Sequence, residues 1–289
     1  MHCRKLIGVN VLAIALLALH GAQAFDDSKY PNLKGQWRSV AVPTGLSSGS
    51  LQYDPHKPAG RAQQAPLTSE YQAIFEANMA EQALGGQAGD PTYRCLPSGM
   101  PRVMSANLEV VVLPETTYIS SVTGAGTFHR WIYTDGRDFP ADMADNPQFN
   151  GYSIGRWIDE DGDGRYDALI VETRGMKGPR AFESTGIPLH KDNQTIVRER
   201  IYLDAIDPNT LRDEITTIDH ALTSPWTVTK DYRRAATSRQ FWWTESVCTA
   251  NNVHITIGDE VYFLNADGLL MPAKKDQPPP DLRYFNLRK

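Results

Sequence analysis

Across residues 108–264 the chain alternates short apolar or β-branched runs with turn residues, and this alternation constrains the fold most strongly. Such runs occur at 108–113, 117–122, 128–133, 152–158, 168–173, 196–203, 211–218, 226–232, 253–257 and 261–264. Short strands separated by turns are typical of an antiparallel barrel or sandwich. No helical segments alternate with the runs, as a parallel α/β sheet would require. The sequence therefore predicts an all-β domain, either a barrel or a sandwich.

One helix is predicted ahead of these strands. Ser69 is its predicted N-cap, and Gln72 stands three residues later as the capping-box partner. The apolar residues that follow at helical spacing are Tyr71, Ile74, Phe75 and Met79. Gly85 and Gly86 are typical of a helix end. We interpret the apolar stripe as core packing.

The first 24 residues have the order of a secretory signal peptide. Arg4 and Lys5 precede an apolar run at 6–19, and Ala22-Gln23-Ala24 follows as a small-x-small cleavage site. The apolar run is shorter than the roughly 20 residues that a membrane-spanning helix needs. We therefore expect cleavage after Ala24, with a periplasmic or secreted mature chain. An uncleaved membrane anchor is the alternative.

The charge balance of the mature chain limits its partners. The full chain has 29 Lys and Arg against 34 Asp and Glu, and removal of the signal leaves 27 basic residues and a net charge of −7. Such a chain has no general attraction for nucleic acid or anionic membranes. We expect a single β-rich domain at 25–271, followed by an extended Pro-rich tail at 272–289. The expected partner is a small-molecule ligand.

Two cysteines remain after cleavage, Cys95 and Cys248. An even pair in an oxidising compartment predicts a disulfide. In the chain-entropy description, closing a loop of about 150 residues contributes on the order of 4–5 kcal/mol. Two buried free thiols are the alternative, and a zinc site is disfavoured because neither cysteine has a second ligand at the usual spacing.

An acidic turn follows the predicted strand at 152–158. Its spacing matches the first half of an EF-hand-like calcium loop, with Gly164 at the sharp turn. The carboxylates at ligand positions are Asp159, Asp161, Asp163 and Asp167. Ile170 stands where such a loop carries a bidentate Glu, and the flanks are predicted strands. The turn predicts a structural calcium site, and a solvated hairpin tip is the alternative.

Among the histidines of the mature chain, His190 and His220 lie where loops meet strand ends. Barrel pockets open at such positions, so these two residues are the acid–base candidates. No His-Glu-x-x-His motif occurs. A metalloenzyme site assembled from distant strands is a further alternative.

Charged residues also lie within the predicted strands. On the strand at 197–202, Arg198, Arg200 and Tyr202 share one face, while Glu199 lies on the other. One of these faces must meet the barrel interior, so an enclosed charge with a partner is expected. In the catalytic hypothesis Asp135 or Glu199 orients the histidine, and Arg156 or Arg200 stabilises negative charge. A network of salt bridges on the outer wall is the alternative.

The leading functional hypothesis is a barrel that binds and transforms a small carboxylate- or phenol-bearing molecule by acid–base chemistry without an organic cofactor. The reaction would be that of a lyase, isomerase or hydrolase. The predicted substrate-binding residues are Tyr133, Arg137, Trp157, Tyr202 and Trp226. The alternative is a non-catalytic periplasmic binding or envelope protein, stabilised by calcium and a disulfide.

Four segments carry a resemblance. They read CLPSGMPR at 95–102, IYTDGR at 132–137, GYSIGRW at 151–157 and PWTV at 225–228. Together they resemble a family of exported bacterial proteins of mostly unassigned function, over residues 95–248. The chain departs from that family at Tyr152, where members often carry His, and in its longer acidic turn. Separately, Gly35-Gln36-Trp37 is similar to the start of lipocalin-like barrels, in which the Trp closes one end.

Overall fold

The computed structural model describes residues 25–40, 53–54, 56, 64–84, 90–123, 126–182, 187–236, 254–257, 260–264 and 269–280. The predicted signal at 1–24 and Cys248 lie outside these residues, so export and the disulfide stay predictions. None of the described helices has the length and apolarity that crossing a bilayer requires.

Nine strands close into a barrel in chain order. They are β1 Gly35–Ser39, β2 Asn107–Val112, β3 Thr116–Thr123, β4 Gly126–Tyr133, β5 Tyr152–Ile158, β6 Ala168–Arg174, β7 Ile196–Leu203, β8 Thr210–Ile218 and β9 Trp226–Arg234. Antiparallel neighbours alternate in direction, so an odd number of strands closes only if one neighbouring pair is parallel. That pair is β4–β5, joined at Ile132–Ser153 and Tyr133–Ile154. The prediction of an all-β domain is confirmed, and of the two predicted architectures, barrel and sandwich, the chain adopts the barrel.

Three further strands form a separate sheet, β10 His254–Ile257, β11 Glu260–Leu264 and β12 Leu270–Pro272. The strands predicted at 253–257 and 261–264 are thus confirmed, although they lie outside the barrel. The start of the predicted tail packs on this sheet, because the Gln277 side chain donates to the Val261 carbonyl at 2.8 Å.

Among the described residues there is one α-helix, α1, which runs over Ser69–Ala83. Its N-cap is Thr68 and not the predicted Ser69: Thr68 is the last extended residue, and its hydroxyl accepts the Tyr71 N–H at 3.4 Å. Tyr71 and Phe75 are buried, as the apolar stripe predicts, whereas Ile74 is exposed. The segment before α1 bonds to the β8–β9 turn, since the Thr68 N–H donates to the Ala221 carbonyl at 2.8 Å.

Trp37 on β1 belongs to the buried core. Its side chain is fully buried, and its indole N–H donates to the Leu33 carbonyl at 2.8 Å. The Arg234 guanidinium lies 4.1 Å from the centre of the indole ring and donates to the Lys34 carbonyl at 3.0 Å. This cation–π contact ties the end of β9 to the start of β1. The closure of one barrel end that the Gly-x-Trp segment predicts for Trp37 stays a prediction.

Side-chain alternation along the strands defines the barrel interior. Most inward positions are apolar, as at Leu108, Val110 and Val112 on β2. Four inward positions on β4, β7, β8 and β9 instead carry charged groups, each at most 9% exposed: Arg130, Glu199, Asp213 and Lys230. The barrel therefore encloses a charged group of residues, which we call the interior cluster.

Candidate functional site

The interior cluster contains a buried ion pair between β4 and β7. Arg130 binds Glu199 through two parallel hydrogen bonds, of 2.7 Å from Nη1 and 2.5 Å from Nη2. Nη2 also donates to Thr173 at 2.7 Å, and Nε donates to Ser153 at 3.0 Å. Every guanidinium nitrogen thus has an acceptor inside the barrel, which compensates part of the desolvation of the pair.

Asp213 on β8 is fully buried, and neither of its carboxylate oxygens has a hydrogen-bond partner among the described residues. It stands directly opposite Lys230 in the β8–β9 register. Burial, followed by the negative charge of Glu199, raises the pKa of Asp213 well above its usual value, although Arg130 and Lys230 act in the opposite direction. A carboxyl group held in its neutral form can donate one hydrogen bond and accept others.

Three hydroxyl groups on the inner wall are buried without a hydrogen-bond partner in the described part of the chain, as the Asp213 carboxylate is. Thr117 and Ser121 on β3 and Thr217 on β8 are at most 2% exposed. Their oxygens have no hydrogen-bond partner among the described residues. Buried polar groups are nearly always paired with protein, water or a ligand. The interior therefore offers hydrogen-bonding groups that the described side chains do not use.

A second group of polar residues lies where β8 ends, and we call it the rim cluster: His190, Asp192 and His220. Nδ1 of His190 lies 3.0 Å from Asp192 Oδ1, and Nδ1 of His220 lies 2.5 Å from Asp192 Oδ2. The two imidazole rings are 5.7 Å apart and nearly perpendicular. Tyr71 of α1 packs against His190 with ring centres 5.2 Å apart. The structure thus brings both predicted acid–base histidines together around one carboxylate.

Buried neighbours hold the rim cluster in place. Asp219 accepts the backbone N–H groups of His190 and Ala221, each at 2.8 Å, and also the hydroxyl of Thr195. Arg180 donates to Thr195 at 2.7 Å, while its Nε and Nη1 have no partner among the described residues. Asp219 therefore fixes both chain segments that carry the histidines.

Asp192 stays ionised over the physiological range. Partial burial acts to raise its pKa, but hydrogen bonds from the Gln194 N–H and from the rings of His220 and His190 outweigh burial and lower the pKa to about 2. A fixed negative charge between two imidazoles can orient a ring for proton transfer or act as a cation ligand.

The other residues of the predicted catalytic set lie elsewhere. Glu199 belongs to the interior cluster. Arg200 points outward, where it binds Glu160 at 2.8 Å, and Arg156 is exposed on β5. Asp135 pairs with Arg137 on an exposed turn, and hydrogen bonds from Arg137 lower the pKa of Asp135. His190 and His220 are thus the members of that set which the structure unites.

The predicted substrate-binding residues are also divided. Arg137 stacks on Tyr133 at 3.9 Å, and Arg200 stacks on Tyr202 at 3.8 Å, both on outer faces. Trp157 packs against Tyr30 and Tyr166. Trp226 is buried on the inner side of β9, with its ring centre 4.3 Å from that of Phe182. Of these five residues, Trp226 shares strand and face with Lys230 of the interior cluster.

In the acidic turn, Asp159, Asp161 and Asp167 each place a carboxylate oxygen within 4.8 Å of the others. The carboxylate of Asp163 lies outside this group and accepts the Arg165 N–H at 2.8 Å. Asp159 accepts the N–H groups of Gly162 and Gly164, at 2.7 and 2.9 Å. Three of the four predicted ligands therefore converge.

A surface pocket of about 350 Å³ lies where β4 runs beyond its short pairing with β5. Its lining includes Phe128, Trp131, Phe149 and Tyr152. Arg130 of the interior cluster also lines it. The pocket has the size and aromatic character of small-molecule sites.

Sequence reasoning missed Arg130, Asp192 and Asp213. Arg130 and Asp213 share the inward face with apolar neighbours two residues away, and this alternation is visible in the sequence as Phe128-x-Arg130-x-Ile132. Asp192 follows His190 by two residues, a spacing that carries no signal alone. No family model matches the chain, and no curated protein is recognisably similar to it.

Proposed function

We propose that this chain is an exported binding protein that holds a small phenol-type molecule inside its barrel, with the ligand hydroxyl at Asp213. The observation that carries the proposal is the fully buried Asp213 carboxyl, whose oxygens have no partner among the described residues. Leaving such a group unpaired costs roughly 1–3 kcal/mol, which a ligand that pairs with it would recover.

The interior chemistry favours a phenol over a carboxylate ligand. Arg130 is the natural clamp for a carboxylate, but Glu199 already occupies its fork. A neutral Asp213 carboxyl can both accept from a hydroxyl group and donate to it. Buried aromatic side chains such as Trp226 and Phe182 suit the ring of the ligand.

The route of entry is proposed to be the pocket beside β4. That pocket is lined by Arg130, whose guanidinium group lies in the interior cluster. Pairing between β4 and β5 spans two residue pairs, so this side of the barrel is held by few ladder hydrogen bonds. Side chains at this point can separate at smaller cost than along a full antiparallel ladder.

Calorimetric titration with small phenols, their methyl ethers and benzoates tests the proposal. We expect phenols to bind, and Asp213→Leu to weaken binding about 2- to 13-fold, since one hydrogen bond contributes about 0.5–1.5 kcal/mol net. The matched control is Glu214→Gln, the outward neighbour on β8, which should bind as the wild type does. Equal affinity in the Asp213→Leu variant, or a preference for benzoates, would contradict the assignment.

Calcium at the acidic turn is proposed as a stabilising feature, and the convergence of Asp159, Asp161 and Asp167 supports it. For a dissociation constant of about 0.1–1 mM, 10 mM calcium should add roughly 1.4–2.7 kcal/mol to the free energy of unfolding. Asp159→Asn should remove this gain, whereas Asp163→Asn should remove less of it. Thermal unfolding in EGTA and in calcium measures the effect, and identical curves would exclude the site.

Acid–base catalysis and membership of the exported family stay predictions. The meeting of His190 and His220 around Asp192 supports the former, because an oriented imidazole is the usual acid–base group. The ligand proposal stands independently of both.

A further inference from the structure

The rim cluster brings three metal-ligating groups close together. Nδ1 of His190 faces Asp192, since it lies 3.0 Å from Oδ1 and 3.2 Å from the backbone nitrogen of that residue. Nδ1 of His220 approaches the other carboxylate oxygen of Asp192 at 2.5 Å. One ligand atom from each residue lies within 4.8 Å of the other two.

We propose that His190, Asp192 and His220 form a binding site for a divalent first-row transition metal ion such as Zn²⁺. Zinc binds imidazole nitrogen and carboxylate oxygen at about 2.0–2.2 Å, which places neighbouring ligand atoms of a tetrahedral site about 3.3 Å apart. The separation of 3.0 Å between His190 Nδ1 and Asp192 is close to this value, and the 2.5 Å between His220 Nδ1 and Asp192 has to lengthen when an ion enters. The ion takes the place of the hydrogen between Nδ1 of His220 and Asp192, and the neutral ring then carries its hydrogen on Nε2.

The surroundings have the features of a metal site. Asp219 holds the backbone at His190 and Ala221, so both histidines are fixed by one buried carboxylate. Metal-binding residues usually depend on such outer hydrogen bonds. The His220 side chain is 63% exposed, which leaves coordination positions open to water or a small anion. This donor set, two imidazoles and one carboxylate, is typical of transition-metal centres and not of calcium.

The site is separate from the proposed ligand at Asp213, and the two proposals fail independently. A variant that loses zinc binding should still bind phenols, and a variant that loses phenol binding should still bind zinc.

Calorimetric titration of Zn²⁺ into untagged, EDTA-treated full-length protein tests the inference. The wild type should bind one ion at this site, and His220→Ala and Asp192→Asn should each weaken binding by more than the roughly 10–100-fold typical of outer-shell changes. The loss of Zn²⁺ affinity in Asp219→Asn should fall within that range of roughly 10–100-fold. Co²⁺ should give the visible absorption of a nitrogen- and oxygen-bound ion in the wild type and not in His220→Ala.

The matched control is His129→Ala, which removes an exposed histidine whose ring bonds the Ser120 hydroxyl on the outer face of β4. This variant should bind Zn²⁺ as the wild type does. Binding that survives in His220→Ala would place the ion elsewhere, for example at the acidic turn, and would overturn the proposal. Absence of Zn²⁺ binding by folded wild-type protein would overturn it too, and would leave an acid–base pair at the rim. Circular dichroism establishes that each variant is folded.

Discussion

Replacing Glu199 with alanine is expected to lower the free energy of unfolding by about 3–5 kcal/mol. The change leaves the Arg130 guanidinium, which is 3% exposed, without its bidentate partner inside the barrel. The hydroxyls of Thr173 and Ser153 still accept hydrogen bonds from it, but they carry no compensating charge. Urea unfolding followed by circular dichroism measures the loss.

Two further variants separate this cause from general damage to β7. Arg200 lies on the same strand as Glu199 and forms an outward ion pair with Glu160. Arg200→Ala removes this pair and should lower the free energy of unfolding by only about 0–1 kcal/mol. The double variant Arg130→Met, Glu199→Leu removes both charges and should recover most of the stability. If Glu199→Ala lowers the free energy of unfolding by no more than Arg200→Ala does, the Arg130–Glu199 ion pair does not lie buried in the barrel.

Replacing Asp213 with asparagine is expected to raise the stability of the ligand-free protein near neutral pH. Burial raises the pKa of Asp213 in the folded state, so the folded chain holds this proton more tightly than the unfolded chain. Its contribution is fully present below the unfolded pKa of about 3.9 and is lost as the pH rises through the folded pKa. Asparagine has the same shape and does not titrate, so the variant avoids that loss.

The gain should be small near pH 4 and grow toward neutral pH, with each 1 kcal/mol raising Tm by about 2–4 °C. Calorimetric melting of both proteins across this range measures it. Glu214→Gln, which alters the outward neighbour on β8, should show no comparable gain. A gain that does not change with pH, or a loss at neutral pH, would mean that Asp213 is ionised and paired in the folded chain.

Most of the barrel strands could be predicted because the local sequence of a strand, alternating side chains between turn residues, is enough to identify it. The bounds of β5 and β7 match the predicted segments, since alternating side chains and flanking turn residues define both ends. The parallel β4–β5 pair could not be predicted, because it follows from the number of strands that close the ring. The strand β12 is three residues long and ends at a proline, so it has too little alternation to recognise.

The site was less predictable because its partners are distant in sequence. Both faces of β7 carry charge, so alternation alone does not decide whether Glu199 or the Arg198–Arg200 face is enclosed. Outer carboxylates decide it: Arg198 binds Glu172 and Arg200 binds Glu160, which leaves Glu199 facing Arg130 on β4. The rim cluster depends likewise on the approach of two loops, and Asp219, which fixes them, resembles any strand-end aspartate in the sequence.

A buried carboxyl that lowers the stability of the free protein is explained if a ligand pairs with it, and this idea links the Glu199→Ala and Asp213→Asn variants with the proposed function. In the interior, Glu199 neutralises Arg130, while Asp213 and three buried hydroxyls have no hydrogen-bond partner among the described residues. The ion pair is then part of the scaffold, and Asp213 is the recognition group.

Native mass spectrometry of the protein purified from its own host tests this claim most directly. We expect a retained small molecule on the wild type, released on denaturation and identified as a hydroxyl-bearing aromatic compound. We also expect Asp213→Leu purified in the same way to carry less of it. A wild-type mass equal to that of the bare chain, or equal occupancy of both proteins, would contradict a recognition role for Asp213.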